Sequence, residues 1–195
     1  MLRSPFEGFA SGVQPGAAGQ TGVHLHAETL PGVTQISTWI SGVPGLEQAL
    51  RALLGEQPPM HSGLTLPTAC GLLVRTGPEE FLLVAEHATT DNTALLRRHV
   101  GVDTGAVTDL GHARCRIRIS GGNCRDTLSK LFAIDLRDAA FPVSQARLTG
   151  HHHVPALLHR VGPDQFDIYV FTTYAQDQLH ALVDAALEYG VALTA

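Results

Sequence analysis

The chain has 195 residues, enough for one substantial core or two small halves that share one. Hydrophobic residues make up 44% and charged residues 16%, and the formal net charge is −5, so bulk nucleic-acid binding has no electrostatic support. Three cysteines, Cys70, Cys115 and Cys124, cannot all pair and show no Cys-x-x-Cys spacing, which predicts a reducing, cytoplasmic compartment.

Residues 1 to about 30 are rich in Gly, Ala, Gln and Pro, and they read as a flexible N-terminal arm that a partner would order. Nothing in Met1 to Ala10 has the apolar run of a signal peptide, and no segment approaches the roughly 20 apolar residues of a membrane helix, so a soluble intracellular protein is expected. Val33 to Ile40 predicts a strand. Pro44 then opens a helix whose apolar residues Leu46, Ala49, Leu50, Leu53 and Leu54 share one face and which Gly55 ends. Residues 56 to 68 read as a loop, followed by a hairpin of Cys70 to Thr76 and Phe81 to Ala85 around Gly77-Pro78, and by a short helix capped by Asp91.

Arg114 to Ile119 alternates arginine with Cys115, Ile117 and Ile119, the pattern of a strand with one face in the core. Asn123 is placed to cap a helix that buries Cys124, Leu128, Leu131 and Phe132. Val154 to Val161 and Phe166 to Phe171 flank a second Gly-Pro turn. A Thr173–Gln176 capping box opens the last helix, with Ala175, Leu179, Leu182, Val183, Ala186 and Leu187 on its apolar face and Gly190 as its stop. The two stretches share punctuation: Ile40-Ser41-Gly42 and Ile119-Ser120-Gly121 precede helices, and Gly77-Pro78-Glu79-Glu80-Phe81 and Gly162-Pro163-Asp164-Gln165-Phe166 sit in hairpins. The expected fold is therefore α+β, a single domain over 31–195 made of two βαββα repeats at about 31–105 and 106–195, with Ile40 equivalent to Ile119.

Chemistry-bearing motifs are sparse. Three adjacent histidines, His151-His152-His153, cannot close on one ion from an extended strand, and an exposed loop is the plainer reading. Asp109, His112 and Ser120 lack the context of a nucleophile elbow, and His159 reads as a strand residue. Gly42-Val43-Pro44-Gly45 and Gly121-Gly122-Asn123 read as tight strand-to-helix turns rather than phosphate cradles. No catalytic, cofactor-binding or metal-ligating residue is assigned. The polar set that stands out is Arg114, Arg116 and Arg118, with His112 before them, projecting from one face about 6 to 7 Å apart. Such a stripe is either a solvated face with local acids or a docking face for an acidic partner surface.

Several segments together, Thr108-Asp109-Leu110-Gly111-His112-Ala113-Arg114, Ile134-Asp135-Leu136, Ala140-Phe141-Pro142 and Val154-Pro155-Ala156-Leu157-Leu158-His159-Arg160, carry a resemblance to the gamma subunits of heterotetrameric sarcosine oxidases. Gly77-Pro78-Glu79-Glu80-Phe81 resembles that family's Gly-Pro-Asp-Glu-Trp segment, with Phe81 where Trp is usual. The resemblance implies the folate-binding aminomethyltransferase fold. It implies a complex that oxidises the N-methyl group of sarcosine at a flavin on the beta subunit, passes electrons through FMN to oxygen with release of hydrogen peroxide, and hands the one-carbon unit to tetrahydrofolate on the alpha subunit. FAD, FMN, NAD and folate would then belong to the alpha and beta chains and zinc to the delta chain, with none held by this one. A complex acting on another N-methyl amine such as N-methylglutamate, and a stand-alone folate-binding protein, are the alternatives.

Overall fold

A computed structural model describes residues 4–87, 91–151 and 153–195 of the chain. In chain order its elements are β1 (Gly12–Gln14), β2 (Val23–Thr29), β3 (Gly32–Ser37), α1 (Val43–Leu54), β4 (Thr65–Thr68), β5 (Gly71–Gly77), β6 (Glu80–Ala85), α2 (Asn92–His99), β7 (Ala106–Asp109), β8 (Arg114–Ser120), α3 (Cys124–Ser129), β9 (Ala146–His151), β10 (Val154–Gly162), β11 (Gln165–Phe171), α4 (Ala175–Ala186) and β12 (Val191–Thr194). They form two compact units: Leu30–His112, and Met1–Thr29 combined with Ala113–Ala195.

In the Leu30–His112 unit five antiparallel strands run in the order β4-β5-β6-β3-β7. Ile36, Leu73, Phe81 and Leu83 are buried with Leu46 and Leu50 of α1 and with Leu96 and Val100 of the α2 region. Fully burying such a side chain stabilises by about 1.5 to 3 kcal/mol. The α1 helix starts at Val43, with Pro44 in its first turn where a missing N–H costs nothing, and ends at Gly55, whose φ of 76° returns its N–H to the Arg51 carbonyl. Asp91 caps α2 by accepting the Ala94 N–H at 2.9 Å. Within the stretch expected to be loop lies β4, an edge strand in which Pro67 is tolerated.

In the other unit seven strands run β1-β12-β2-β8-β11-β10-β9, antiparallel except for the β12–β2 pair. Its core joins Val23, Leu25 and Ala27 of β2 to Cys115, Ile117 and Ile119 of β8, Phe166, Ile168 and Val170 of β11, and the inward faces of α3 and α4. The expectation of a flexible arm over 1–30 is corrected here: β2 pairs with β8 over His24–Thr29 and with β12 over Val23–His26, and Phe6 is buried too. What the segment's own composition cannot offset in ordering entropy is offset by ladder bonds and apolar contacts with strands far away in sequence. Two caps also differ. Tyr174, not Thr173, is the N-cap of α4, and Gln176 Nε2 donates to the Glu7 carbonyl at 3.3 Å. Asn123 holds the N-cap position of α3 but turns its amide to Asp126 at 3.0 Å. Gly190 stops the last helical turn as expected, and at φ 78° it bends the chain into β12; a Cβ there would lie 2.0 Å from the Gln20 carbonyl oxygen.

The duplicated plan is present with more strands than the three expected per copy: β4 and β7 are added to one sheet, and β9, β2, β12 and β1 to the other. The order β4-β5-β6-β3-β7 of one sheet is matched by β9-β10-β11-β8-β2 of the other. The fifth strand is exchanged: β7 immediately precedes β8 in sequence yet pairs with β3, and β2 immediately precedes β3 yet pairs with β8. A boundary between residues 105 and 106 is thereby corrected to one after Thr29 and another after His112. Register also corrects the pairing of isoleucines. Ile36 lies opposite Phe81 and Ile119 opposite Phe166, so the counterpart of Ile119 is Ile36; Ile40 lies beyond the strand and is 79% exposed. Ile-Ser occurs twice between Gln35 and Ser41, and the buried pair is the repeated one.

Candidate partner-docking face

As the alternation of β8 requires, Cys115, Ile117 and Ile119 enter the core, and Arg114, Arg116 and Arg118 project from the opposite face. Because β8 lies between β2 and β11, its register aligns three rows across the sheet: His24–Ser120–Gln165, His26–Arg118–Asp167 and Glu28–Arg116–Tyr169. Directly opposed residues on one face interact most strongly. The arginines therefore meet β2 and β11 before they meet anything outside the chain.

Arg118 forms a two-pronged bond with Asp167, Nε to Oδ1 at 2.6 Å and Nη2 to Oδ2 at 2.8 Å. Arg116 donates from Nε to Glu28 Oε1 at 2.9 Å, and its Nη1 reaches Asp167 Oδ2 at 3.5 Å. The side chains of Arg116 and Asp167 are only 7% and 3% exposed, whereas Arg118 and Glu28 are about a third open to solvent. Hydrogen bonding to Asp167 outweighs burial and raises the Arg118 pKa above its ordinary value. Arg114 lies with its guanidinium carbon 3.6 Å from the Phe171 ring centroid, a cation–π contact. Of the two readings open from sequence, local acids hold for Arg116 and Arg118: two guanidinium groups face two carboxylates supplied by β2 and β11. Neither acid could be assigned while β2 read as an arm and the β8–β11 register was unknown.

The remaining sequence candidates are committed to structure. His151 is buried and places Nδ1 2.9 Å from Gln178 Oε1, His153 takes a left-handed φ of 68°, and His152 lies outside the described residues. Among the described residues no group of three or more His, Cys, Asp or Glu side chains is placed to hold a metal ion. His159 is buried in β10 opposite Asp167. Asp109 accepts the Gly111 N–H at 2.8 Å, and Ser120 ends β8 between His24 and Gln165. In the glycine turns, the N–H groups of Gly42, Gly121, Asn123 and Cys124 all donate to backbone carbonyls. Burial pushes the Cys115 thiol up to about 12 and the Cys124 thiol up to about 11, so neither is a thiolate at neutral pH.

Two buried arginines escaped the sequence reading. Arg75 donates from Nε to the Gly77 carbonyl at 3.3 Å, from Nη2 to that of Pro78 at 2.5 Å, and from Nη1 to Pro59 and Met60 carbonyls at 3.0 and 3.1 Å and to Glu47 at 2.6 Å. Arg160 repeats the pattern, from Nε to Gly162 at 3.2 Å, from Nη2 to Pro163 at 3.1 Å and to Asp138 at 2.7 Å, and from Nη1 to Phe141 at 2.6 Å. Each lies over the phenylalanine of the next strand, Phe81 or Phe166, and each marks a register shift beside its Gly-Pro turn. The signal was legible as Arg-x-Gly-Pro-x-x-Phe in both copies. These are structural clamps that tie an earlier loop to a hairpin.

Residues 69–195 match the GCVT N-terminal domain family. The chain is 30% identical to the sarcosine oxidase subunit gamma of an Arthrobacter species over 97% of its own length and 92% of the relative's, and 30% identical to that of Corynebacterium sp. strain U-96 over 98% and 93%. It is similar in structure to a chain of the heterotetrameric sarcosine oxidase from Corynebacterium sp. U-96 in complex with pyrrole 2-carboxylate, with a TM-score of 0.83, 28% identity and 96% of each chain covered. The glycine cleavage system aminomethyltransferase T of Bartonella henselae shares the fold, with a TM-score of 0.65 at 14% identity over 90% of this chain and 48% of that one.

Proposed function

The chain belongs to the family of sarcosine oxidase gamma subunits, and we propose that it serves as the gamma subunit of a cytoplasmic heterotetramer that oxidatively demethylates sarcosine to glycine. In this reading FAD, FMN, NAD and tetrahydrofolate belong to alpha and beta subunits and zinc to a delta subunit, and hydrogen peroxide is released at their flavins. The gamma chain contributes no acid, base or nucleophile to the reaction. The observation that carries the reading is likeness over nearly the whole length to proteins of that name. Arg116 and Arg118 are held by Glu28 and Asp167, Arg75 and Arg160 by loop carbonyls, and Asp109 by its own turn. The guanidinium groups stay protonated in proteins, so the four arginines act as fixed donors and not as acids or bases.

Co-expression with the flavoprotein chains tests this. The chain should co-purify with them in a yellow complex that produces peroxide from sarcosine faster than from N-methylglutamate, and alone it should be colourless and inactive. Stoichiometric flavin or peroxide production by the isolated chain, or failure to co-purify, would overturn the reading.

A further inference from the structure

Within the Leu30–His112 unit, two loops meet at one end of the sheet. Ser37 of β3 lies opposite Ala106 of β7, Thr38 Oγ1 bonds to the Thr104 carbonyl, and Thr104 and Gly105 return their N–H groups to Gly101. From this joined pair Trp39, Ile40 and Val102 project into solvent, 50%, 79% and 88% exposed. The two loops, Thr38 to Gly42 and Gly101 to Gly105, contain a single charged residue, Asp103. Isolated apolar side chains on a surface are ordinary, but three large ones on two tied, nearly uncharged loops are not.

The duplication shows that the fold does not require them. After the equivalent strand β8, the chain passes from Ser120 through Gly121, Gly122 and Asn123 directly into α3. After β3 it takes a longer path, Thr38-Trp39-Ile40-Ser41-Gly42, into α1, and this excursion supplies Trp39 and Ile40. Gly42 closes it: a Cβ there would lie 2.1 Å from Thr38 Oγ1 and 2.8 Å from the Thr104 carbonyl oxygen. The added turn is thus held in shape by backbone and hydroxyl contacts, while its large side chains stay outside.

We propose that this Trp39–Ile40–Val102 end is where the chain docks on a neighbouring subunit of its complex, through an apolar and uncharged pocket on that subunit. The inference rests on the gamma-subunit reading above and gives it a surface. Polarity selects the partner: with only Asp103 among the loop residues, a charged partner surface would lose its hydration and gain no counter-charge, whereas an apolar pocket loses nothing. Tryptophan is also among the residues most enriched at interface hot spots. The arginine stripe is the weaker docking candidate, because Glu28 and Asp167 already balance Arg116 and Arg118.

The test is co-expression of all four chains with Trp39→Ala, Ile40→Ser and the double variant, read by native mass spectrometry and by titration of the isolated chain into the remaining subunits. The double variant should bind at least thirtyfold more weakly while its thermal midpoint as a free chain stays unchanged. Trp39 is the only tryptophan, so a 5-fluorotryptophan-labelled chain gives one fluorine resonance, which should move on assembly. Wild-type binding with no change in the double variant, or an unmoved resonance in the assembled complex, overturns the docking surface and leaves the gamma-subunit reading intact. A wild-type chain that binds none of the other subunits overturns the gamma-subunit reading itself. Self-association of the isolated chain that the double variant abolishes, with complex formation unaffected, assigns the patch to a second copy and also overturns the proposal.

Discussion

The two repeats place different chemistry at matching positions of matching strands. Where β8 and β11 carry Arg116, Arg118 and Asp167, the register of β3 and β6 carries Val33, Gln35 and Leu82. Where β5 turns into β6 and β10 into β11, both repeats carry a buried arginine that clamps a Gly-Pro turn. The clamp is therefore what the fold needs twice. The ion cluster is an addition to one copy, tolerated because β2 brings Glu28 to it from the exchanged strand.

The largest effect should come from breaking the shared feature. Arg160→Met and Arg75→Met each leave at least three carbonyls without their donor, at about 1 to 3 kcal/mol apiece, so each should lose about 3 kcal/mol or more in urea denaturation. Comparable losses are expected from both; a loss in one alone would mean that the clamps match in geometry but not in energy.

A smaller effect sharpens the contrast. Asp167→Leu leaves Arg116 and Arg118 without their common carboxylate and should lose about 1.5 to 3 kcal/mol. Adding Arg116→Val and Arg118→Gln, which installs the other repeat's residues, should recover that loss or exceed it, since buried ion clusters are often no better than apolar packing. If the triple variant is as unstable as the single one, the two sheets are not interchangeable at these positions.

The smallest effect is at the surface. Bonds from Arg160 and then Arg125 hold the Asp138 carboxyl below its ordinary range. Because the folded-state value is the lower one, its contribution is present above the unfolded value of about 3.9 and disappears as pH falls through the folded value. The stability difference between the wild type and Asp138→Asn should accordingly shrink below about pH 4, as read by denaturant midpoints across pH. A difference that is constant with pH would mean that the Asp138 carboxyl titrates alike in the folded and unfolded chain, so that its bonds to Arg160 and Arg125 do not favour the charged form.

Legibility from sequence followed the locality of the contacts. The α1 face, the Asp91 cap and both Gly-Pro hairpins depend on residues within a few positions of one another, and they were readable. The alternation of Val23, Leu25 and Ala27 with His24, His26 and Glu28 was as regular as that of β8, but the glycine-rich composition before it suggested an arm, and the strands it pairs with lie near residues 120 and 190. Edge strands β4 and β9, with Pro67 and Gly150, carry little periodic signal because one side of each is unpaired. The acids opposite Arg116 and Arg118 were invisible for the same reason as β2: only register reveals them.

The exchange of β2 and β7 has a consequence for how the protein is made. Leu30–His112 is an unbroken stretch holding all five strands of its sheet, so it can complete its core while the rest of the chain is still being synthesised. The other unit cannot, because β1 and β2 leave the ribosome before Leu30–His112 and their partners β8 and β12 only after it. Val23, Leu25 and Ala27 must therefore wait with their apolar side uncovered until β8 and the elements after it have been made, which leaves β2 exposed to errors of pairing during birth.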